Sequence, residues 1–461
     1  MPDYSSVERY LDVFVNYEVL PGFGFAEAGY DLAHVRELLR RLGDPHLGPL
    51  TVHVAGSKGK GSVSAMIAGA LTACGYPTAL YTSPHLVHLG ERIQVDGVCA
   101  TPDEMCVAVD AIRPHVEAMR QEGAWRRFTY FELLTALAFV HFRAKGVRAQ
   151  VVEVGLGGRL DATNVVVPDV CVITPISLEH TAVLGDTLVK IAGEKAGIIK
   201  PGAHVVCAPQ ETEVGQVIES TCSARGVPLV SVGRDLVWEV MEQSAVGQTV
   251  RVRDGGGEGT VRLALAGTYQ AENAATALAA VEALRRRGMD LDGRCVAKGL
   301  EDTRWPGRFQ VLAQRPLLVL DGAHNPASMR RLAESVAGLR NKGDIVFVLG
   351  FSGDKDVRGS VAQLSYLGGR FVLTRSSQPR ALALPDIAGR LIGLGLVASC
   401  AADARAALRL ARSMVQSDGV VVVAGSLYLV GDVVRGWLED VRWAEHWTSG
   451  PAQAGPRHSR C

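Results

Sequence analysis

The sequence predicts an α/β fold, with a large amino-terminal domain on a mostly parallel sheet and a smaller α/β domain after it. Three observations support this prediction. The chain has 461 residues, more than one ordinary hydrophobic core accommodates. Short apolar runs alternate with helical patterns, which is typical of parallel strands joined by right-handed crossovers. The glycine-rich segment Gly56–Ser62 follows an apolar run and opens a helical pattern, as a P-loop-type phosphate-binding loop does.

The first domain is expected to begin with an amphipathic helix over residues 31–42, because Leu32, Val35, Leu38 and Leu39 share one face. A buried helix is expected over 131–142. Strands are expected at Leu50–Val54, Thr78–Tyr81, Gln150–Val154, Val170–Thr174 and Val205–Ala208.

The character of the chain changes at residue 229. Short apolar pieces up to residue 265 surround a glycine-rich turn, which predicts a hairpin or a small antiparallel subsheet. Residues 271–288 read as an alanine-rich helix, and the second alternating block follows the Pro- and Gly-containing segment 304–308. Its strands are expected at Leu317–Leu320, Ile345–Leu349, Arg370–Thr374 and Val420–Val423. We therefore expect domains at 1–302 and 310–445, a linker at 303–309 and a disordered tail at 446–461.

The composition is that of a globular protein with balanced charge. Hydrophobic residues make up 48% and charged residues 21%, and Lys plus Arg equals Asp plus Glu at 48 each. This balance gives no support for nucleic acid as the main partner. The longest apolar stretches, 165–176 and 419–434, are interrupted by Pro, Asp, Gly or Ser and fall short of the roughly 20 residues that span a bilayer. No secretory signal pattern opens the chain, so we expect a cytoplasmic protein without a membrane partner.

The nine cysteines are scattered through the chain, and none of them forms a Cys-x-x-Cys pair. Their number is odd. We therefore expect free thiols in a reducing compartment, rather than a disulfide framework or a thiolate metal site.

The glycine-rich loop carries the strongest functional signal. Its glycines let backbone N–H groups face an anion, the helix start adds partial positive charge, and Lys60 adds a full charge. Ser62 offers a hydroxyl group to Mg²⁺. An extra Gly61 separates Lys60 from Ser62, unlike the common G-x-x-x-x-G-K-[ST] loop. Glycine-rich turns without a nucleotide are common, but the position of the loop and both side chains favour nucleotide binding.

Polar residues follow several of the expected strands, at the sheet edge where ligands collect. Glu153 ends a strand, and its carboxylate could bind a nucleotide-associated Mg²⁺ or simply be solvated. Ser83 and His180 also follow strands, although an isolated His is more often structural. Asp321 could accept hydrogen bonds from a ribose, and Arg308 could bind a phosphate.

Lys195 lies among small and apolar residues, which would lower its pKa if the side chain were buried. A neutral lysine amine can take up CO₂ to form a carbamate, an anionic group that binds hard metals. The residues alone favour an ordinary surface lysine on a helix.

Taken together, these segments resemble one known family. From Phe23-Gly24 to Gly425–Tyr428 the chain is similar to the folylpolyglutamate synthase and dihydrofolate synthase family of the Mur ligase superfamily. The similarity rests on His53–Ser62, Ser83–Leu86, Thr129–Glu132, Glu153–Asn164, His180-Thr181, Glu194–Ile199, Asn273–Ala275, Pro306–Phe309 and Asp321–Pro326. Each segment alone is weak, but together and in order they are highly specific.

The resemblance implies an ATP-dependent ligase of folate metabolism that joins L-glutamate to a folate or dihydropteroate carboxylate through an acyl phosphate. It implies a monomer with ATP and two Mg²⁺ ions between the large domain and a Rossmann-like carboxy-terminal domain. The implied nucleotide contacts are Gly59, Lys60, Gly61, Ser62, Asn273, Arg308 and Asp321. The implied metal ligands are Ser62, Ser83, Glu153, His180 and carbamylated Lys195. The implied pterin-bordering residues are Phe131, Gly158, Arg159, Leu160 and Asp161, and the implied catalytic residues are Lys60, Lys195 and His324.

One departure and two alternatives accompany this resemblance. The family usually has Thr-Asn where this chain has Ser57-Lys58, and Lys58 could strengthen phosphate binding or point into solvent. A Mur-type amide ligase acting on another acid is disfavoured by the folate-branch segments 129–132 and 153–164. A non-catalytic nucleotide- or folate-binding module is disfavoured by the intact set of candidate site residues. The sequence leaves open whether one or both synthase activities are present, which folate form is preferred and how long any polyglutamate product is.

Overall fold

A computed structural model describes residues 3–17, 31–123, 128–339, 343–440 and 447. The segment Phe23-Gly24 lies outside the described residues, and so does the expected tail except for residue 447.

The strands in chain order are β1 Leu50–Ala55, β2 Thr78–Tyr81, β3 Ile93–Val95, β4 Val98–Cys99, β5 Ala149–Glu153, β6 Val170–Ile173, β7 His204–Cys207, β8 Leu229–Ser231, β9 Leu236–Ser244, β10 Gly247–Asp254, β11 Gly257–Leu263, β12 Gln310–Gln314, β13 Leu317–Leu320, β14 Ile345–Leu349, β15 Arg370–Leu373, β16 Ala398–Cys400 and β17 Val420–Ala424. The α-helices are α1 Ser5–Leu11, α2 Ala33–Arg41, α3 Lys60–Ala73, α4 Pro102–Gln121, α5 Tyr130–Ala144, α6 Thr181–Leu184, α7 Leu188–Ala196, α8 Thr212–Arg225, α9 Tyr269–Arg286, α10 Gly293–Asp302, α11 Pro326–Leu339, α12 Val357–Ser365, α13 Leu384–Ile392, α14 Ala404–Ser413 and α15 Leu427–Glu439.

The larger sheet has the strand order β4-β3-β2-β5-β1-β6-β7-β8. Its strands pair in parallel from β2 to β8, and β3 and β4 add an antiparallel edge. The central strands β1, β2, β5 and β6 are almost entirely buried, as expected for a sheet covered on both faces. The mostly parallel sheet is confirmed.

The segment that follows this sheet differs in part from the expectation. Leu229–Ser231 is the edge strand of the large sheet, paired in parallel with β7, and not part of a small subsheet. Strands β9 to β11 form a separate sheet of three strands in the order β11-β10-β9. The pairing of Leu229 with Val205, 24 positions upstream, outweighed the local hairpin pattern, since strand pairing is set by tertiary context.

Helix starts in this part of the chain follow from local sequence. Thr101 and Glu104 form a reciprocal capping box at the start of α4, and Thr129 and Glu132 do the same for α5. Helix α5 is buried on nearly all sides, in agreement with its apolar sequence.

The second sheet has the order β12-β13-β17-β14-β15-β16. All its pairs are parallel except β12 with β13, which are antiparallel. The four strands expected here are present, and their apolar residues form a core of their own.

The described chain separates into two compact units. The first contains the described residues up to Glu239 with Val250–Leu263 and Ala271–Thr303, and the second contains Val240–Thr249, Ala264–Gln270 and the described residues from Arg304 onward. In the part of the chain that the structure describes, no helix has the length and apolar character needed to cross a bilayer.

Cys74 and Cys295 form a disulfide, so the expectation of free thiols is wrong for this pair. The two residues are 221 positions apart, but α3 and α10 pack so closely that a Cβ on Gly299 would lie 2.4 Å from the carbonyl oxygen of Gly69. Cysteine spacing cannot reveal such a contact. Cys400 is also disulfide-bonded. Cys99, Cys106, Cys171, Cys207 and Cys222 are free thiols.

Candidate functional site

Four adjacent strands of the large sheet, β2-β5-β1-β6, carry polar segments at their carboxyl ends. The register places Val54 beside Glu153 and Ala55 beside Ile173, so the loop after β1 lies between the ends of β5 and β6. Ser83 follows β2 by two residues, and His180 lies in the segment after β6. The topology therefore brings the sequence-predicted residues to a single sheet edge.

The loop after β1 has a backbone that only glycine accommodates at two positions. Gly56 has φ of +146°, and a Cβ there would lie 1.9 Å from Thr174 Oγ1. Gly59 has φ of +85° and caps the start of α3, and a Cβ on it would lie 2.3 Å from Asn273 Oδ1. Asn273 is itself buried, so this amide lies directly against the loop. Helix α3 begins at Lys60, directly after Gly59, and the N–H groups in the first turn of a helix have no carbonyl partner within that helix.

Candidate oxygen ligands for a metal ion lie at the ends of β2 and β5 and in the first turn of α3. The backbone N–H of Ser83 donates to Glu153 Oε2 at 3.2 Å, and Glu153 is only 4% exposed. Ser62 lies buried in the first turn of α3. Hydroxyl and carboxylate oxygens are the donors that Mg²⁺ prefers, so this set fits the ion. Within the described ranges, no group of three or more His, Cys, Asp or Glu side chains forms a metal site. A magnesium ion here would accordingly keep water and phosphate oxygens among its ligands.

His180 has an uncommon backbone conformation. Its φ of 47° and ψ of 39° are left-handed, which costs a non-glycine residue of order 1 kcal/mol or more. The residue is exposed and lies just before α6. Backbone strain of this kind is concentrated at functional sites.

Lys195, on α7, is buried with 2% of its surface exposed, so the interpretation as a surface lysine is wrong. Its Nζ donates to the carbonyl oxygen of Gly56 at 2.8 Å and to Glu179 Oε1 at 3.1 Å. Burial lowers the pKa of Lys195 to about 8, with the attraction of Glu179 opposing and the charges of Lys60 and Lys58 reinforcing this shift. A sizeable fraction of neutral amine is therefore present at mildly alkaline pH.

Glu179 lies within the candidate site, although its sequence pattern did not single it out. Its second oxygen, Oε2, lies 3.5 Å from Lys58 Nζ, so one carboxylate is shared by two lysines. Burial by itself raises the pKa of Glu179, but the charges of Lys195, Lys58 and Lys60 outweigh it and hold this pKa well below its usual range. Lys58 does not point into solvent, since its side chain is only 17% exposed. The signal available was a carboxylate directly before His180.

The stretch after β5 packs against α7. A Cβ on Gly158 would lie 2.8 Å from the carbonyl oxygen of Glu194, and Arg159 forms a 2.8 Å ion pair with the Glu194 side chain. Leu160 is partly buried. The Phe131 ring lies against Gly155, where a Cβ would come within 2.5 Å of it. This stretch therefore lies next to the helix that carries Lys195.

Asp161 is occupied within its own loop. Its carboxylate accepts hydrogen bonds from the backbone N–H of Leu156 and of Thr163 and from the Thr163 hydroxyl, at 2.8, 3.0 and 2.5 Å. The Thr163 hydroxyl in turn lies 2.9 Å from Nε2 of His53, a buried residue of β1. Burial raises the pKa of Asp161 despite these hydrogen bonds. The side chain shapes the loop that borders the candidate site.

In the second unit, Asp321 follows β13 and is buried. Its carboxylate accepts hydrogen bonds from the Tyr269 hydroxyl at 2.5 Å, the Phe309 N–H at 2.9 Å and the Ala323 N–H at 2.8 Å. Burial raises the pKa of Asp321, against the lowering effects of Tyr269 and Arg308.

Arg308 and His324 flank Gly322 in the same unit. A Cβ on Gly322 would lie 2.3 Å from Arg308 Nη1, and His324 Nδ1 lies 2.8 Å from the Gly322 carbonyl oxygen. A cavity of about 360 Å³ has Arg308 and Trp305 in its wall.

Comparison with known proteins places these features in a family. Residues 54–281 match the Mur ligase middle domain, and residues 307–427 match the Mur ligase, glutamate ligase domain. The dihydrofolate synthase/folylpolyglutamate synthase of Bacillus subtilis strain 168 is 32% identical over 436 residues, covering 93% of this chain and 98% of that protein. The chain belongs to the folylpolyglutamate synthase and dihydrofolate synthase family.

Solved structures of this family share the architecture. The Mycobacterium tuberculosis folylpolyglutamate synthase complexed with ADP has a TM-score of 0.85 and 33% identity, over 95% of this chain and 98% of that one. The E. coli FolC protein in complex with DHPP and ADP has a TM-score of 0.83 and 29% identity, over 96% and 98%. The chain spans about half, 52%, of the length of a probable bifunctional folylpolyglutamate synthase/dihydropteroate synthase from Haloferax volcanii, to which it is 33% identical over 98% of its own length.

Several of the predicted site residues in the first unit lie at or next to the phosphate loop. The structure brings Gly59 beside Asn273, Ser83 beside Glu153, and Lys195 beside Gly56. In the second unit it brings Arg308 and His324 to Gly322, with Asp321 bound to Tyr269. Tyr269 carried no sequence signal, since its role depends on a partner 52 residues away.

Proposed function

We propose that this protein is an ATP-dependent ligase that joins the amino group of L-glutamate to the carboxylate of dihydropteroate, of a folate, or of both. The family relationship supports the reaction class. The observation that carries the proposal for this chain is the phosphate loop whose Gly56 carbonyl is held by buried Lys195, at a sheet edge that also carries Glu153. That arrangement brings together the backbone N–H groups of the loop, the positive charge of Lys60 and the carboxylate of Glu153.

The reaction proceeds in two displacements. A carboxylate oxygen of the folate precursor attacks the γ-phosphorus of ATP, the bond to the β-phosphate oxygen breaks, and ADP leaves. The amine of glutamate then attacks the acyl carbon, inorganic phosphate leaves, and the amine loses a proton as the amide forms. Lys60 and the N–H groups at the start of α3 stabilise the charge that develops on the transferring phosphoryl group. Gly59, Gly61 and Asn273 shape the loop around the phosphates.

We further propose that Ser62, Ser83, Glu153 and His180 hold two magnesium ions with the nucleotide. When bound, Mg²⁺ neutralises phosphate charge and aligns the phosphate oxygens. Glu153 contributes the negative charge among these side chains, and its hydrogen bond from Ser83 fixes its orientation.

Lys195 is proposed to act as a carbamate. Its lowered pKa provides the neutral amine that attacks the carbon of CO₂, forming a C–N bond while a proton leaves the nitrogen for solvent. The product carries two oxygens and a negative charge, and it lies beside the phosphate loop because of the Gly56 contact.

The remaining assignments concern the substrate and the second unit. Phe131 and the stretch Gly158–Asp161 are proposed to border the pterin, with Asp161 acting through the shape of its loop. Arg308 and Asp321 are proposed to contact the nucleotide, and His324 is proposed to serve glutamate binding and the acyl-phosphate step.

The decisive experiment uses purified protein with ATP, Mg²⁺ and L-glutamate, supplied in parallel with dihydropteroate or tetrahydrofolate. The expected result is release of one phosphate per new amide, detected by a phosphate assay and by mass spectrometry of the product. Turnover with one or both acids decides between a single and a double synthase activity. Folded protein that binds ATP but turns over neither acid would overturn the proposal.

A further inference from the structure

Lys58 lies in the loop between β1 and α3, and the proposed reaction assigns it no role. Its ammonium group lies 3.5 Å from Glu179 Oε2. Both side chains are sheltered, with 17% and 13% of their surface exposed. A sheltered ion pair is screened less than a surface pair, so this contact carries weight in the local electrostatics.

The backbone holds this pair in place. The N–H groups of Ser57 and Lys58 both donate to the carbonyl oxygen of Pro175, at 2.9 and 3.0 Å. The Ser57 hydroxyl donates to the carbonyl oxygen of Ser177 at 3.2 Å. The phosphate loop and the segment that carries Glu179 therefore form one connected element, and the Lys58 contact is part of it.

Glu179 has a second cation on its other oxygen, Lys195 Nζ at 3.1 Å. Lys195 is 2% exposed, so its charge depends strongly on this carboxylate. Lys60 and His180 also favour the negative charge on Glu179. Among the described residues, the ion pairs of Glu179 are those with Lys195 and Lys58.

Carbamylation changes this balance, and here the inference rests on the proposed function. When Lys195 becomes a carbamate, its side chain changes from a cation to an anion. Glu179 then loses one of its two cationic partners and faces a like charge. Keeping a partly buried carboxylate charged in that position costs free energy unless another cation remains in contact with it.

We propose that Lys58 is a positioning residue that acts through Glu179. Lys58 keeps the Glu179 carboxylate in an ion pair after Lys195 has been converted to a carbamate and no longer provides a cation. The carbamate is thereby stabilised without a direct contact from Lys58.

The test measures carbamate occupancy directly, without turnover. Purified full-length protein, free of ATP and glutamate, is equilibrated with ¹³C-labelled CO₂ and bicarbonate at pH 8, and the carbamate carbon is followed by ¹³C NMR as dissolved CO₂ is raised. Lys58→Met removes the charge and keeps the aliphatic stem, whereas Lys58→Arg keeps the charge. Lys190→Met is the matched control, because Lys190 lies on the same helix as Lys195. Its only described ion pair is an exposed one with Asp186.

We expect Lys58→Met to need about tenfold more CO₂ for half occupancy, which corresponds to about 1.4 kcal/mol. Lys58→Arg and Lys190→Met should stay close to the wild type. In a Glu179→Gln background the carboxylate is gone, so Lys58→Met should then have a clearly smaller effect, limited to the direct repulsion between the charges of Lys58 and Lys195. Lys58→Asn serves in place of the methionine variant if that protein does not fold, as judged by circular dichroism.

Each other outcome overturns the inference in a recognisable way. Wild-type occupancy in Lys58→Met shows that Lys58 does not support the carbamate. An equal loss in the Glu179→Gln background shows that it does not act through Glu179. A wild-type protein that turns over substrate without any carbamate signal removes the carbamate and the role of Lys58 together, whereas absence of turnover refutes the proposed function itself.

Discussion

The side-chain amine of Lys195 donates a hydrogen bond of 2.8 Å to the backbone carbonyl oxygen of Gly56. This contact joins α7 to the first residue of the phosphate loop, across 139 positions of sequence. Gly56 has φ of +146° and lies against Thr174, so the carbonyl orientation is fixed by a backbone that no other residue accommodates. A change in the chemical state of Lys195 therefore directly alters a contact of the loop that we propose to bind phosphate.

The first prediction concerns pH. Because the pKa of Lys195 is about 8, its amine is mostly protonated below pH 8 and mostly neutral above it. After CO₂ is stripped from the protein and then restored at a constant dissolved concentration, activity should recover at a rate that rises about tenfold per pH unit below pH 8 and levels off above it. The measurement is recovery rate against pH under a controlled CO₂ atmosphere.

Lys195→Arg provides the control for this experiment, because a guanidinium keeps the positive charge and cannot react with CO₂. It should show no recovery at any pH. A recovery rate of the wild type that is the same at pH 6.5 and pH 9 would exclude Lys195 as the group whose neutral form reacts.

The second prediction concerns Glu153. Glu153→Gln keeps an oxygen that can accept from the Ser83 N–H but removes the negative charge. We expect kcat to fall about 100-fold or more, the usual loss when one preorganised electrostatic group is removed. ADP affinity measured by calorimetry should fall in the presence of Mg²⁺ and stay unchanged in its absence.

Glu219→Gln is the matched control, since Glu219 is an exposed carboxylate paired with Arg234. It should alter neither kcat nor affinity. If Glu153→Gln weakens ADP binding equally with and without Mg²⁺, the carboxylate serves the loop rather than the ion.

The sequence predicted much of this architecture because apolar runs define buried strands strongly. The expected strand at Thr78–Tyr81 has the observed bounds, and the strand at Val170–Thr174 differs by one residue. The polar residues after these strands could be placed at one edge, since parallel strands share it. Sequence alone could not show the burial of Lys195 or the central position of Glu179. Both depend on contacts with the phosphate loop more than 100 positions away.

Leu229–Ser231 shows the same limitation for the fold. The segment was expected to belong to a hairpin or a small subsheet, but its partner is β7 in the large sheet. The pairing of Cys74 with Cys295 likewise depends on the packing of α3 against α10, which no local pattern records.

The third prediction concerns that disulfide, which links the end of the phosphate-loop helix to the start of α10. Under oxidising conditions, Cys74→Ser should lower the free energy of unfolding by about 2–4 kcal/mol, because the crosslink restricts the unfolded chain. In the presence of a thiol reductant, variant and wild type should have the same stability. Chemical denaturation with and without reductant measures both.

Cys106→Ser is the control, since Cys106 is a free thiol that contacts the Ser6 hydroxyl. It should not respond to reductant differently from the wild type. Equal stability of Cys74→Ser and the wild type under oxidising conditions, with both thiols open to alkylation in the wild type, would show that the pair stays reduced in solution.

The fourth prediction separates backbone strain from side-chain clash in the phosphate loop. Gly59 and Gly75 have nearly the same left-handed φ, +85° and +80°. A Cβ on Gly59 would lie 2.3 Å from Asn273 Oδ1, whereas a Cβ on Gly75 would have nothing within 4 Å. Gly59→Ala and Gly75→Ala should each lose about 1 kcal/mol of stability from the unfavourable φ.

Nucleotide binding should distinguish the two variants, because only Gly59→Ala forces the buried Asn273 amide away from the loop. We expect its affinity for ADP to fall about tenfold or more, equivalent to about 1.4 kcal/mol, while Gly75→Ala binds like the wild type. Calorimetric titration of ADP and thermal denaturation of both proteins provide the comparison. Equal affinity in the two variants would mean that the Gly59–Asn273 contact does not shape the phosphate site, and Asn273 would then lose its proposed role in binding the nucleotide.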